Sequence, residues 1–278
     1  MPAISLVVCL YNEADLLQRL IERTRGCFDE LIVVHDGPDT TGTRAIVQAA
    51  GGRFFERPRA FQQEPHWPFA WGQAKHDWIL RLDADEAPSP ALADWLKNFR
   101  RAPEPAASDS GFTCIWPLWN GQRQVASHWP GNRIFLLNRQ RVRFIGMAET
   151  VPDPEGKWEH IPLVLEHCPK RLSYGLRYVF LRPQAKNWRR VIAESLLPDT
   201  PAHLEQWRWE NRPWPQTWEV VRQRPLRTAL IRVLWWFPCS LVEQWRIEGR
   251  PFPMAVLTPL LMQSLICLKY MRLRRQKL

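Results

Sequence analysis

Trp78-Ile79-Leu80-Arg81-Leu82-Asp83-Ala84-Asp85-Glu86 is the stretch on which the reading of this chain turns. It reads as a mostly apolar strand that ends abruptly in carboxylates, and Pro88 and Pro90 forbid its continuation. In an open α/β sheet, ligands bind outside the carboxyl ends of the strands. The acidic groups Asp83, Asp85 and Glu86 repel one another unless a cation neutralises them. Asp-x-Asp by itself is usually a solvated turn. At the end of a buried strand it reads instead as a divalent-metal platform. Lys75 and Arg81, beside it, read as solvated.

Upstream, Ile4-Ser5-Leu6-Val7-Val8-Cys9-Leu10 is a continuous apolar run, the pattern of a strand buried on both faces of a parallel sheet. Asn12 and Asp15 offer caps for a helix with the stripe Leu16, Leu17, Leu20 and Ile21, closed by Gly26. Leu31-Ile32-Val33-Val34 is a second strand, ending in His35-Asp36-Gly37. A helix through Ala45–Ala50 stops at Gly51-Gly52, and Phe54-Phe55 is a short third strand. This alternation predicts a doubly wound α/β half-fold. Residues 57–72 read as a loop with a short helix reaching Ala74, and Ser89-Pro90 opens a helix through Phe99.

Downstream, 101–110 reads as a surface linker. Strands are expected at 112–118, 132–137, 142–145 and 161–166 without long helices between them, a mixed extension of the same sheet. The expected division is a catalytic α/β domain over 1–170 and a helical region over 171–278. Within the latter, 205–224 is rich in Trp and Arg, and the apolar blocks 228–242 and 252–266 are interrupted by Pro238 and Pro259. Each block is shorter than a clean spanning helix and has a basic rim, which fits helices lying in a membrane interface. Lys269 to Lys277 add a polybasic patch suited to an anionic leaflet. The alternative is a solvated basic terminus on an ordinary helical subdomain.

The composition of the 278 residues is globular, 45% apolar and 24% charged, but the net charge is +10 with 16 Trp and 25 Pro. Such charge points to phosphorylated substrates, anionic membrane or nucleic acid. Nucleic acid is set aside because no groove-binding, zinc-ligand or RNA-recognition signature appears. The six cysteines are scattered without Cys-x-x-Cys, as expected of buried thiols in a reducing compartment. Polar Tyr11-Asn12-Glu13 directly after residues 4–10 argues against a secretory signal there.

Three polar clusters thus fall at carboxyl ends of strands in one sheet: Tyr11-Asn12-Glu13, His35-Asp36-Gly37 and Asp83-Ala84-Asp85. Asp36 suits a hydrogen bond to a base or ribose, or else the cap of the next helix. The carboxylates suit a metal held against a diphosphate. Neither G-x-G-x-x-G nor G-x-x-x-x-G-K occurs, so the metal takes the phosphate-neutralising role.

Together, Val7 to Glu13, Val33 to Thr43 and Ala74 to Glu86 resemble family 2 glycosyltransferases, which have the GT-A fold, a mixed sheet flanked by helices. A looser likeness to relatives that build lipopolysaccharide core continues to about residue 170 through Asn132-Arg133-Ile134-Phe135, Phe144 to Glu149 and Leu163 to His167. The resemblance implies donor binding by Tyr11, Asn12, Glu13, Asp36, Asp83 and Arg133, and metal binding by Asp83, Asp85 and His167, with Mn²⁺ or Mg²⁺. It implies Glu149 as general base and an inverted product. The donor would be a nucleotide-diphosphate sugar, a UDP-sugar foremost, and the acceptor a hydroxyl of an envelope glycan or lipid-linked sugar. The expected location is the cytoplasmic face of the inner membrane, peripheral or monotopic. Two positions depart from the pattern: His35 stands for the first Asp of Asp-Asp-Gly-Ser, and Ala148 for the His before the Glu. Plain structural roles remain open for three residues: a hydrogen-bonding role for His167, a surface carboxylate for Glu149, a strand-edge crossing for Arg133. A nucleotidyltransferase is disfavoured because acidic Tyr11-Asn12-Glu13 stands where its basic, Gly-rich loop belongs, and an inactive membrane scaffold because the acids are intact.

Overall fold

The computed structural model describes residues 1–119, 124–126, 132–148, 150–170, 175–198, 216–249 and 253–277. The chain divides into two compact units, one mainly of residues 1–146 and 151–172, the other mainly of 173–205 and 210–278. In chain order the strands are β1 (Ile4–Leu10), β2 (Glu30–Asp36), β3 (Arg53–Arg57), β4 (Trp78–Arg81), β5 (Glu86–Pro88) and β6 (Asp109–Ile115). There follow β7 (Leu118–Trp119), β8 (Gln124–Ala126), β9 (Asn132–Asn138), β10 (Val142–Arg143), β11 (Asp153–Pro154) and β12 (Lys157–His167).

Eight strands form the main sheet in the order β3-β2-β1-β4-β9-β6-β12-β5. The first four are parallel, β9 is antiparallel to both β4 and β6, β12 is parallel to β6, and β5 is antiparallel to β12. This is the expected mixed extension of an α/β half-fold. It aligns the carboxyl ends of β1, β2, β4, β6 and β12 with the start of β9 along one edge.

β1 is buried throughout, so its side chains feed two cores by simple alternation. Ile4, Leu6, Val8 and Leu10 pack with Leu17 and Leu20 of α1 (Ala14–Arg23) and with Leu92 and Leu96 of α4 (Pro90–Phe99). Val7 and Cys9 face the other way, with Ile32, Val34 and the Trp67 and Trp71 rings of α3 (Trp67–Gln73). Ser89 caps α4 as its sequence predicts, its Oγ accepting from Leu92 N at 3.3 Å with Pro90 at the first position. All six cysteines are free thiols.

Several local expectations are corrected. Neither Asn12 nor Asp15 caps α1: Glu13 holds the cap position without a side-chain bond, and Asn12 adopts φ 53°, its Oδ1 accepting from Thr40 N. Asp39 rather than Asp36 serves α2 (Thr43–Ala49), accepting from the backbone N–H groups of Thr41, Thr43 and Arg44. Residues 142–145 do not join the main sheet: among the described residues β10 pairs with β11, and Gly146 just beyond turns the chain at φ 69°. Glu86 does not trail from β4 but opens β5 on β12. Arg81 is not solvated but 2% exposed, its guanidinium 4.2 Å from the centre of the Trp67 ring and bonded to Ile134 O at 2.9 Å.

The second unit is helical: α5 (Leu176–Leu181), α6 (Pro183–Ser195), α7 (Gln216–Gln223), α8 (Pro225–Ile231), a π-helical turn (Arg232–Trp236), α9 (Phe237–Glu248) and α10 (Pro253–Lys277). Pro259 does not end its helix; α10 runs through it. No described helix is long and apolar enough to cross a membrane. The stretch 205–215 lies outside the described residues.

Candidate active site

At the end of β1 the backbone N–H of Asn12 donates to His35 Nε2 at 3.1 Å, while Nδ1 of the same ring lies 2.7 Å from Gly37 O. Those partners assign the proton to Nδ1. His35, fully buried, therefore straps the β1 turn to the β2 turn, a structural task that explains a His where the family pattern has an acid. Gly37 takes φ 98°, and a Cβ there would sit 3.1 Å from the Arg59 side chain, so the turn is tight enough to require glycine.

Asp36 is 4% exposed, and its carboxylate is engaged by Arg59 Nη1 at 2.6 Å, by the Ala60 N–H and by His66 Nε2 at 2.9 Å. Arg59 also lies over the Tyr11 ring, 3.2 Å from its centre. Arg59 and His66 come from the irregular stretch after β3, and neither was visible as a site residue in the sequence.

The acidic edge lies next to this. Arg133, at the start of β9, bridges Asp83 Oδ2 at 2.7 Å and Glu86 Oε1 at 3.0 Å. Burial opposes ionisation of Asp83, but Arg133 and then Arg81 outweigh it and hold the carboxyl below its usual value. Burial pushes Glu86 up to about 7. Burial and then the neighbouring Arg133 bring Arg81 down to about 9. His167, at the end of β12, stands 3.4 Å from Asp85 Oδ2 and stacks on Trp116, ring centres 4.3 Å apart. Burial would lower its pKa, yet the hydrogen bond and charge of Asp85 raise it. Trp116, just past β6, is a further site residue that the sequence did not single out.

Glu13 completes the negative cluster. Burial, then Asp85 and Asp83, push its carboxyl up to about 7. Between its ordinary 4.5 and about 7 the folded protein keeps a proton that the unfolded chain has lost. Its contribution to stability is therefore complete below 4.5 and disappears as pH rises through about 7. Glu13→Gln is expected to raise the melting temperature of the metal-free protein at roughly pH 8 and to leave it unchanged at roughly pH 4. Calorimetry at the two pH values checks this; equal effects at both would remove Glu13 from the charged cluster.

Oxygen donors with one imidazole suit a hard divalent cation, and Asp83 Oδ1 is buried without a well-formed hydrogen bond. Among the described residues, however, no group of three His, Cys, Asp or Glu side chains is already gathered closely enough to hold one. Tyr11, Asn12, Glu13, Asp36, Asp83, Asp85, Arg133 and His167 all stand at the same sheet edge. Glu149 lies outside the described residues; of its neighbours, Gly146 takes φ 69°, Met147 and Ala148 are buried, and Thr150 N donates to Met147 O at 3.3 Å.

Comparisons with known proteins bear on this arrangement. An uncharacterized glycosyltransferase of Rickettsia felis is 35% identical over 97 residues, 35% of this chain and 34% of that protein. A TPR repeat-containing protein of Synechococcus elongatus is 31% identical over 146 residues, 52% of this chain and 34% of that one. The match thus spans about a third of the length of these curated relatives. Among solved structures, a mannosyltransferase from Pyrobaculum calidifontis in complex with GDP-Man and Mn²⁺ aligns with a TM-score of 0.46 at 14% identity, over 97% of this chain and 85% of the other. The profile described as Glycosyl transferase family 2 matches residues 5–151, more than half of the chain and every residue of the acidic edge except His167, and the chain belongs to that family.

Proposed function

We propose that the protein transfers a sugar, with inversion, from a nucleotide-diphosphate sugar to a hydroxyl of an envelope glycan or lipid-linked acceptor. The observation that carries this reading is the meeting of Asp83, Asp85, Glu86, Arg133 and His167 at the carboxyl edge of a nucleotide-binding type of sheet. Asp83, Asp85 and His167 are the residues that would hold Mn²⁺ or Mg²⁺, which when bound supplies Lewis-acid stabilisation of a departing diphosphate.

The chain's own groups do the rest. Tyr11 and the Asp36–Arg59 pair line the place of the base and ribose, a uridine nucleotide being our first choice of donor. Arg133, already held between two carboxylates, is aimed to share the charge of the diphosphate. Glu149 takes the proton of the acceptor hydroxyl as it attacks the anomeric carbon from the side opposite the leaving group.

A panel of radiolabelled nucleotide sugars, with Mn²⁺, with Mg²⁺ and with chelator, tests the reading. One donor is expected to release its nucleotide diphosphate only when a divalent cation is supplied, and the transferred sugar to have the opposite anomeric configuration. Turnover undiminished by chelator would remove the metal from the scheme, and retention of configuration would remove the single-base mechanism.

A further inference from the structure

One face of the second unit is unusually apolar for a surface in water. Along the continuous helical stretch from Pro225 to Glu248, Arg232, Ser240 and Gln244 are buried, whereas Leu226, Leu230, Leu234, Trp235, Trp236 and Trp245 are exposed. Thr258 and Ser264 of α10 are buried as well. Three of these inward polar groups are bonded within the helices: Arg232 Nη1 reaches Gln263 O at 3.5 Å, Thr258 Oγ1 donates to Met254 O at 2.6 Å, and Ser264 Oγ lies 2.8 Å from Leu260 O and 3.2 Å from Ala229 O. A surface helix in water puts its apolar stripe inward. Here Ala229 of α8 and Val256, Met262 and Ile266 of α10 do face inward, but a further apolar stripe faces outward, recurring at three- and four-residue steps.

The centre of that stripe is the π-helical turn. Within this wider turn Leu234, Trp235 and Trp236 stand exposed in succession, at 70%, 67% and 54%. Cations frame them. Residues 216–249 and 253–277 contain ten Lys and Arg against three Glu. Arg224 just before the helical stretch from Pro225 and Arg227 and Arg246 within it are exposed, as are Arg272, Arg274 and Arg275 at the end of α10. No described helix is long and apolar enough to cross a membrane. Trp and Leu facing out, polar side chains facing in and a positive surround are complementary to one environment, the interface of an anionic bilayer, where indole rings and aliphatic groups enter and guanidinium groups meet lipid phosphates.

We propose that the exposed face of α8, the π turn and α9, centred on Leu234–Trp235–Trp236, is an in-plane contact surface for an anionic lipid bilayer. The proposal is independent of the transfer chemistry, so its test reads binding and not activity. Protein comprising residues 1–278 is floated with vesicles of phosphatidylcholine alone and with vesicles containing about 30% phosphatidylglycerol. The wild type is expected on the anionic vesicles, and raising salt to about 0.5 M is expected to weaken binding about tenfold without abolishing it, because burial of indole and leucine is not screened. The combined variant Leu234→Ser, Trp235→Ser, Trp236→Ser is expected to lose on the order of 100-fold in affinity. Its melting temperature is expected to hold, since all three side chains point to solvent. Arg272→Glu with Arg275→Glu is expected to lower binding to anionic vesicles and leave the weak binding to neutral ones unchanged. Wild-type protein that ignores both vesicles, or a serine variant that binds as well as wild type, overturns the proposal. So does a wild-type dimer in sedimentation velocity that the serine variant dissociates with no vesicle binding by either, which would make the face an interface between copies.

Discussion

Asp85→Asn is expected to remove nearly all metal-dependent turnover from a protein that still folds. The substitution keeps shape and deletes one negative charge. The backbone carbonyl of residue 85, which accepts from Cys168 N at 2.9 Å, is untouched, so the join between the acidic turn and the end of β12 survives. Several kcal/mol of Lewis-acid stabilisation correspond to a loss on the order of 10³-fold in kcat. A second readout is independent of turnover. Asp85 raises the pKa of His167 by hydrogen bond and charge, so in the variant the His167 titration, followed by NMR, is expected to move down. Full activity with ordinary metal dependence would sink the role of Asp85, whatever the His167 titration does.

Glu149→Gln carries the other large expected effect. A sugar hydroxyl is a poor nucleophile at neutral pH, and a positioned base contributes about 10²–10⁴-fold. Glutamine matches glutamate in size and hydrogen bonding but takes no proton. Transfer is therefore expected to fall by about that factor, while calorimetric binding of donor and metal stays near that of the wild type. Glu155, paired with Arg143 at 3.1 Å, and exposed Glu159 are the controls, and their Gln variants are expected to stay active. If Glu149→Gln keeps its rate while a control loses it, the base has been assigned to the wrong carboxylate.

The parallel half of the sheet was legible because β1, β2 and β4 are buried on both faces and write that burial as unbroken apolar runs. Ser89-Pro90 was legible because a cap is a local chemical event. What the sequence concealed is non-local. Arg59 and His66 reach Asp36 across 23 and 30 residues, from a stretch without periodicity. Arg81 looked solvated because its charge is countered by an aromatic face and a carbonyl 53 residues away rather than by a sequence neighbour. The acidic cluster reads in the sequence as a platform for a neutralising divalent cation, a demand for positive charge. That Arg133 meets part of this demand, bridging Asp83 and Glu86, depended on β9 running antiparallel beside β4, which no spacing announces.

The pairing of β5 with β12 has a bearing on how the site comes into being as the polypeptide is made. Glu86, Ala87 and Pro88 pair with His167, Glu166 and Leu165, and Ser89 N bonds Val164 O. Chain emerging from the ribosome lays down β1 to β4 early, and their helices let that half condense, but the segment after Asp85 must wait for a partner roughly 80 residues later. Nucleation of the sheet and maturation of the acidic edge are thus separate events in time. A fragment ending at residue 151, where the family match stops, would contain every acid of the cluster and lack the strand on which Glu86 is seated.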